Sequence, residues 1–425
     1  MRTNRRKLLG ALAGTGFVGV AGCVGVEEDD PDDGAGGGGG DGDGDGNGGG
    51  DDGEEETVAG EAEFWYALSE GELEIVEDAV GTFNDETDYL LDGADIAELE
   101  DRLVSAIPAG EGPEIFMWAH DWVGDFADSQ FIVDQSEDLD VDLDQFTDAG
   151  RNAIQYQGGV YGLPVSAETV ALIYNEEMVD EPPETIDEMQ EIMEEYHDPA
   201  NNQFGLSYPM DPYFYSAYAH AFGGYYFDDA DESLGLTMDE TIRGFEVVLE
   251  ELDPYSPNDP EYDPQAAAFV EGNAPLAING PWFLGDVEFE ASVAALPAPD
   301  GGEPAPYSGV SMIYFADAIT DEADRGDAAR TFAEWYTTNT DVLTRLAEDQ
   351  GYIPVHEDLA GSDDLPDAVQ GFSESAATGV PMPTNAKMNQ VWGPLEDAFM
   401  NAYTGDQSLE DAMVDAEDRI RDNWD

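Results

Sequence analysis

The chain has 425 residues, of which 41% are hydrophobic, and this content excludes a wholly disordered protein. It carries 98 Asp and Glu against 13 Lys and Arg, a formal net charge of -85, which excludes nucleic acid as a partner because the two would repel each other. The length allows two domains with substantial cores.

The acidic residues are spread along the whole chain rather than collected in one tail, and the only lysines are Lys7 and Lys387. Such a surface repels itself in dilute buffer. At 1 M salt the Debye length falls to about 3 Å, so most of this repulsion is screened. The distribution therefore indicates adaptation to strong salt. It disfavours the alternative, in which one acidic block recognises a basic partner.

Residues 1–23 have the pattern of a processed export signal. The twin-arginine pair Arg5 and Arg6 precedes the apolar run Leu8–Gly22, which is shorter than the ~20 residues of an ordinary spanning helix. Small residues then precede Cys23, as in a lipobox. We therefore expect export by the twin-arginine route and lipid attachment at Cys23, which would hold the protein on the outer face of the cytoplasmic membrane.

Cys23 is also the only cysteine, so the sequence excludes an intramolecular disulfide and any cysteine-based metal cluster. Residues 24–57 follow it and are mostly Gly, Asp and Glu, which predicts a flexible, self-repelling linker. From Val58 onward the composition changes abruptly to that of a folded domain.

Strand and helix patterns alternate through the rest of the chain. Short apolar runs predict strands at Glu63–Leu68, Ile115–Trp118, Thr169–Tyr174, Ala274–Ile278 and Met312–Ala316. Apolar residues at helical spacing predict helices at Leu73–Phe83, Ile186–Tyr196, Thr241–Leu252, Ala328–Tyr336, Leu395–Tyr403 and Leu409–Ile420. The alternation is typical of an α/β fold with largely parallel sheets.

Several motifs in this body are similar to those of one family, the maltose/maltodextrin-binding proteins of ABC importers. The resemblance extends in order from about Glu61 to the C terminus. The motifs that carry it are GPEIFMWAHD at 112–121, PVSAETVALIYNEEMVDE at 164–181, DPYF at 211–214, AINGPW at 277–282, and MP at 382–383 followed by VW at 391–392.

The resemblance implies a periplasmic-binding-protein-like fold of two α/β lobes, with a sugar held in the cleft between them. One lobe would comprise residues 58–166 and 310–360, and the other residues 168–308 and 370–425. The chain would cross between lobes near 164–168 and 308–311. The implied function is to capture maltose or maltodextrin-type sugars and to deliver them to an ABC transporter permease, as a monomer and without a cofactor.

A neutral sugar presents hydroxyl groups and flat apolar ring faces, so its site needs carboxylate acceptors and aromatic platforms. By resemblance, Asp121 and Glu168 hydrogen-bond the sugar, and Asp211 stands where the family usually has glutamate. The remaining residues that the resemblance assigns to the ligand are aromatic: Trp118 lines the cleft, and Tyr213, Trp282 and Trp392 stack on the sugar.

The site also departs from the family pattern. Ser69 and Glu70 stand where the family usually has an Asp-Lys pair, and we include both among the candidate ligand-binding residues. Trp122 and Glu396 each replace an arginine, and Gly393 replaces an aromatic residue. Compared with the family pattern, the site lacks basic donors and one stacking face. The sequence therefore does not identify the sugar or its chain length.

Three other functions are compatible with parts of the sequence. Carboxylates with aromatic residues also suit a cation, so a binding protein of this fold for a polyamine is the first alternative. The second is a glycoside hydrolase with paired carboxylates, and the third is a structural surface protein. We do not expect an enzyme or a metal site, because no helical metal pair occurs among the four histidines and no serine nucleophile elbow is visible.

The charge predicts that the fold depends on salt. Circular dichroism should show native structure in molar KCl and its loss in dilute buffer, because carboxylate repulsion is then nearly unscreened. Native structure with cooperative melting at about 20 mM salt, where the Debye length is long, would contradict the prediction.

Overall fold

A computed structural model of the protein describes residues 58–362 and 365–424. Arg5, Arg6 and Cys23, with the rest of the predicted signal and the linker, lie outside the described residues, as does the side chain of Glu70. Within the described ranges, no helix has both the length and the apolar character needed to cross a membrane.

Strands and helices alternate along the chain, which confirms the predicted α/β class. The strands are β1 (Gly60–Tyr66), β2 (Tyr89–Asp95), β3 (Ile115–Ala119), β4 (Gln155–Tyr156), β5 (Gly159–Val160), β6 (Gly162–Glu168), β7 (Ala171–Asn175), β8 (Leu206–Ser207), β9 (Phe227–Asp228), β10 (Ser233–Leu234), β11 (Leu276–Asn279), β12 (Ala291–Ala294), β13 (Tyr307–Phe315), β14 (Ile353–Pro354) and β15 (Val380–Pro381). The α-helices are α1 (Glu70–Glu86), α2 (Leu99–Ala106), α3 (Val123–Asp128), α4 (Asp148–Ala153), α5 (Ile186–Tyr196), α6 (Pro212–Ala219), α7 (Asp239–Glu246), α8 (Tyr262–Val270), α9 (Ala323–Thr338), α10 (Thr340–Gln350), α11 (Asp367–Ala377), α12 (Asn389–Thr404) and α13 (Leu409–Trp424).

Two sheets organise the fold. The larger has the strand order β14-β6-β13-β3-β1-β2, with β15 paired to β13, and the smaller has the order β12-β7-β11-β8. In the larger sheet β1 is parallel to β2 and β3, whereas β13 is antiparallel to β3 and β6. In the smaller sheet β8 is parallel to β11, and β7 is antiparallel to both β11 and β12.

The prediction of largely parallel sheets is therefore wrong, since both sheets are mixed. The physical reason lies in the strands by which the chain passes from one sheet to the other. β6 ends at Glu168, and the chain enters β7 of the smaller sheet three residues later. It returns in β13, which runs back along β6 with Gly309 opposite Glu168. A returning strand beside its outgoing partner must be antiparallel.

Each sheet has its own apolar cluster. The first cluster surrounds the larger sheet and includes Phe64, Phe116 and Phe332. The second joins β7, β8 and β11 to helices α6, α12 and α13. A third, smaller cluster covers another part of the smaller sheet and includes Phe269 and Phe372. The two sheets thus have separate cores, linked at the crossing strands β6 and β13.

Candidate functional site

The candidate residues of the larger sheet lie where two parallel strands end. Ser69 follows β1, and Asp121 lies two residues after β3, in a short 3-10 turn. Because β1 and β3 are parallel neighbours, these residues lie at the same edge of the sheet. Trp118 lies within β3, as the predicted strand Ile115–Trp118 implies.

The smaller sheet has the same arrangement. Asp211 follows β8 and Trp282 follows β11, and these strands are also parallel neighbours. Glu168 is the last residue of β6, between the two sheets. The fold therefore places most of the candidate residues at strand ends on either side of the crossing strands.

Trp282 packs where the three apolar clusters meet, and it is partly buried against each of them. Its ring centroid is 6.4 Å from that of Tyr213 and 6.3 Å from that of Phe214. The ring lies directly over Gly280, where an added Cβ would come within 2.0 Å of it. The glycine in the Asn-Gly-Pro-Trp sequence is thus required for the tryptophan to occupy this position.

Asp211 and Tyr213 are held by the start of helix α6. Asp211 is the N-cap residue, and its carboxylate accepts a hydrogen bond from the backbone N–H of Tyr213 at 2.7 Å. The Tyr213 hydroxyl donates to the backbone carbonyl of Glu168 at 3.4 Å. These two bonds connect α6 to the end of β6, so the positions of Asp211, Tyr213 and Glu168 are set together.

The part of the site near β3 contains an additional buried carboxylate. Trp118 and Asp121 are 4% and 3% exposed, and Glu100 of helix α2 is 2% exposed. Burial first, and then the charges of Asp101 and Asp121, raise the pKa of Glu100 to about 7. The Glu100 Oε2 and the Trp118 Nε1 atoms have no hydrogen-bond partner among the described residues. This region thus contains both a buried acceptor, Glu100 Oε2, and a buried donor, Trp118 Nε1.

Glu100 was absent from our sequence analysis. The signal that could have identified it is its place on the apolar stripe of α2, three residues before the buried Leu103 and six before Ala106. A carboxylate at a core position of an amphipathic helix is unusual even in a chain with this many acidic residues.

Trp392 lies mostly inside the second apolar cluster. It is 2% exposed, and its ring makes edge-on contacts with Tyr307 at 5.9 Å and Tyr226 at 6.5 Å. One turn further along α12, burial and then the charge of Asp211 raise the pKa of Glu396 to about 7. Helix α12 thus brings the residue that replaces the family's arginine close to Asp211.

Ser69 has a clear structural role. Its hydroxyl accepts from the backbone N–H of Glu72, and the Glu72 carboxylate accepts from the backbone N–H of Ser69, which forms a capping box at the start of α1. Glu72 is 4% exposed and also accepts from the Tyr352 hydroxyl at 2.8 Å. The Ser-Glu sequence therefore begins a helix; Glu70 is its first residue.

Comparison with known proteins identifies the family. A family model described as bacterial extracellular solute-binding protein matches residues 79–373. The maltotriose-binding protein of Pyrococcus abyssi is 40% identical over 363 residues, which cover 81% of this chain and 78% of that protein. This chain belongs to the bacterial extracellular solute-binding proteins. The family predicted from the sequence motifs is thereby confirmed.

Two further members of the family add detail. The solved structure of a Thermus thermophilus maltotriose-binding protein with maltotriose is 25% identical, with a TM-score of 0.77 over 86% of this chain and all of that one. A maltooligosaccharide ABC transporter solute-binding lipoprotein of Streptococcus pneumoniae is 23% identical, covering 76% of this chain and 79% of that protein. The fold is thus the two-lobe fold of the solute-binding proteins, while the residue bounds of each lobe stay a prediction.

The raised pKa of Glu100 predicts a penalty to the stability of the folded protein that depends on pH. Between its ordinary value of 4.5 and about 7, the folded protein keeps this carboxyl protonated while the unfolded chain ionises it, so stability falls as pH rises through this window. Glu100→Gln imitates the protonated form and should remove the penalty. The melting temperature of the variant should exceed that of the wild type by more at pH 8 than at pH 4.5.

The control for this measurement is Glu111→Gln, which changes an exposed glutamate in the loop before β3. Its melting temperature should follow the wild type at every pH. If the melting temperatures of Glu100→Gln and the wild type differ by the same amount at pH 4.5 and at pH 8, the raised pKa of Glu100 is contradicted.

Proposed function

We propose that this protein captures malto-oligosaccharides outside the cell and delivers them to the permease of an ABC importer. The observation that carries the proposal is the 40% identity, over most of both chains, to a maltotriose-binding protein. The site chemistry is consistent with it, because buried carboxylates and aromatic rings converge at the strand ends of both sheets.

All candidate residues other than Ser69 and Glu70 then have a defined task. Asp121 and Glu168 accept hydrogen bonds from sugar hydroxyls, and charge-assisted bonds of this kind are about twice as strong as neutral ones. Trp282 and Tyr213 supply apolar faces for sugar rings. Trp118 lines the cleft beside Asp121, and Asp211 and Trp392 complete the site from α6 and α12.

The mechanism follows from the division of the site between the two sheets. A sugar that contacts Asp121 on one side and Trp282 on the other makes all of its contacts only when the lobes are close together. Sugar binding therefore shifts the population toward the closed form, and the permease recognises that form. The protein works as a monomer and leaves the sugar intact.

We expect Trp282→Ala to weaken maltotriose binding by about 1–3 kcal/mol, roughly ten- to hundredfold, because the variant loses an aromatic platform. Asp121→Asn should weaken it similarly, since a charged acceptor becomes a neutral one. The measurement is isothermal titration calorimetry in molar KCl. Trp424→Ala, at the C terminus of α13, and Asp321→Asn, at an exposed turn, are the matched controls and should bind as the wild type does.

The outcomes separate two levels of the proposal. If the wild type binds no malto-oligosaccharide at millimolar concentration but binds another sugar or a polyamine, the substrate class is wrong. If maltotriose binds the wild type and Trp282→Ala equally well, the function stands and the assignment of this residue fails.

The lipobox-like sequence before Cys23, together with membership of an extracellular family, supports anchoring at the cell surface. Cys23→Ser should move the protein from the membrane fraction to the medium, as measured by immunoblotting of both fractions. The acidic linker provides no second anchor, because an anionic membrane surface repels it. Unchanged membrane retention of Cys23→Ser would overturn the lipoprotein assignment.

A further inference from the structure

A cavity of about 550 Å³ lies at the crossing strands and is separate from the candidate sugar site. His120, Ala153 and Ala167 line it from the side of the larger sheet, and His220 and Asp228 line it from the other side. The described part of this wall contains none of the candidate sugar-binding residues. Its volume is in the range of small-molecule sites in proteins.

His220 offers the cavity an unused acceptor. The side chain is 6% exposed, and its Nδ1 lies 2.8 Å from the backbone carbonyl of Ala305. A carbonyl only accepts, so Nδ1 carries the proton, and burial lowers the pKa of His220 to about 4 and keeps the ring neutral. Nε2 is therefore an acceptor, and it has no partner among the described residues. Such a buried acceptor is unfavourable until a donor reaches it.

The other polar groups of the wall provide no positive charge. His120 accepts from the Val310 backbone N–H through Nδ1 at 3.1 Å, and burial lowers its pKa to about 4, so it is neutral too. The Ser308 hydroxyl oxygen is buried and has no partner in the part of the chain that the structure describes. The lining residues contain no lysine or arginine.

Two carboxylates also line the cavity, beside the neutral polar side chains of Asn152, Tyr225 and Thr384. Asp228 and Asp229 both line the cavity. Asp228 uses one oxygen, Oδ1, to accept from the backbone N–H groups of Ala230 at 2.8 Å and Asp231 at 3.3 Å. The charge in the described lining is therefore negative only, and with the unused His220 acceptor it favours a ligand that brings N–H donors and positive charge.

A large part of the wall is apolar and limits the ligand further. It includes Tyr307, Val310, Val380, Pro381 and Met382. A short alkyl chain would pack against these groups.

We propose that this cavity is a binding site for a small aliphatic organic cation with N–H donors, of the diamine class. One ammonium group lies near Asp228 and Asp229, the alkyl chain packs on the apolar wall, and the other ammonium group donates to His220 Nε2 and Ser308 Oγ. None of the candidate sugar-binding residues that the structure describes lines this cavity, which distinguishes it from the proposed sugar site.

The test is calorimetric titration of the full chain with putrescine in molar KCl, run once without sugar and once with maltotriose at saturation so that the sugar site is filled. Molar salt screens non-specific attraction to the acidic surface. Butanediol, which has the same chain length and no charge, is the matched ligand control. We expect putrescine to bind and butanediol to bind at least ~tenfold more weakly, because its bonds lack charge assistance.

Two variants remove single features of the site. His220→Asn keeps a donor for the Ala305 carbonyl and loses the unused acceptor, and Asp228→Asn keeps the oxygen that the turn needs and loses the charge. Each variant should weaken putrescine binding about tenfold, because it loses one charge-assisted or buried hydrogen bond. Asp321→Asn, exposed and outside the cavity, should leave it unchanged.

The proposal is overturned if putrescine does not bind, if butanediol binds equally well, or if Asp121→Asn weakens putrescine binding while Asp228→Asn does not. That last pattern would place the amine in the sugar site. Circular dichroism first establishes that each variant is folded. Should His220→Asn not fold, Asp228→Asn and Asp229→Asn decide the outcome, because Asp228 is only half-buried and Asp229 is exposed.

Discussion

The pairing of the outgoing strand β6 with the returning strand β13 is the constraint on which the rest of the structure depends. Gly309 lies opposite Glu168, and just beyond the pair the Thr169 hydroxyl donates to the backbone carbonyl of Tyr307 at 2.9 Å. The Tyr213 hydroxyl reaches the carbonyl of Glu168 from helix α6. These hydrogen bonds lie within one short stretch of the crossing strands. They therefore fix the positions of the two sheets, the candidate sugar site and the cavity lined by His120 and His220.

The candidate site is unusual in how much of its charge is buried. Glu100, Asp121 and Glu168 are each less than 5% exposed, in a chain with 98 acidic residues and 13 Lys and Arg. Burying a carboxylate is unfavourable unless donors satisfy it. By the resemblance, arginine or lysine would be expected at positions that are Trp122, Glu396 and the Ser69-Glu70 pair in this chain, so these positions supply no basic donor. Sugar hydroxyls are also donors, so buried carboxylates are compatible with the proposed neutral ligand.

The α/β class and many helices could be predicted from the sequence because they depend on local periodicity; α5 matches its predicted bounds, Ile186–Tyr196. Sheet direction could not, because periodicity does not encode which strand lies beside which, and the antiparallel position of β13 comes from the crossing. The motifs identified the family, but burial depends on tertiary packing, so they did not show that Trp392 packs edge-on against Tyr307. Glu100 was missed because one buried carboxylate does not stand out in a chain with 98 acidic residues.

The central claim is that a malto-oligosaccharide binds between the two sheets, with contacts from both. A crystal structure of the protein grown in molar KCl with maltotriose tests it most directly. The account predicts sugar density within hydrogen-bonding distance of the Asp121 and Glu168 carboxylates and with a ring face on Trp282. Sugar bound elsewhere, or held by residues of only one sheet, would contradict it.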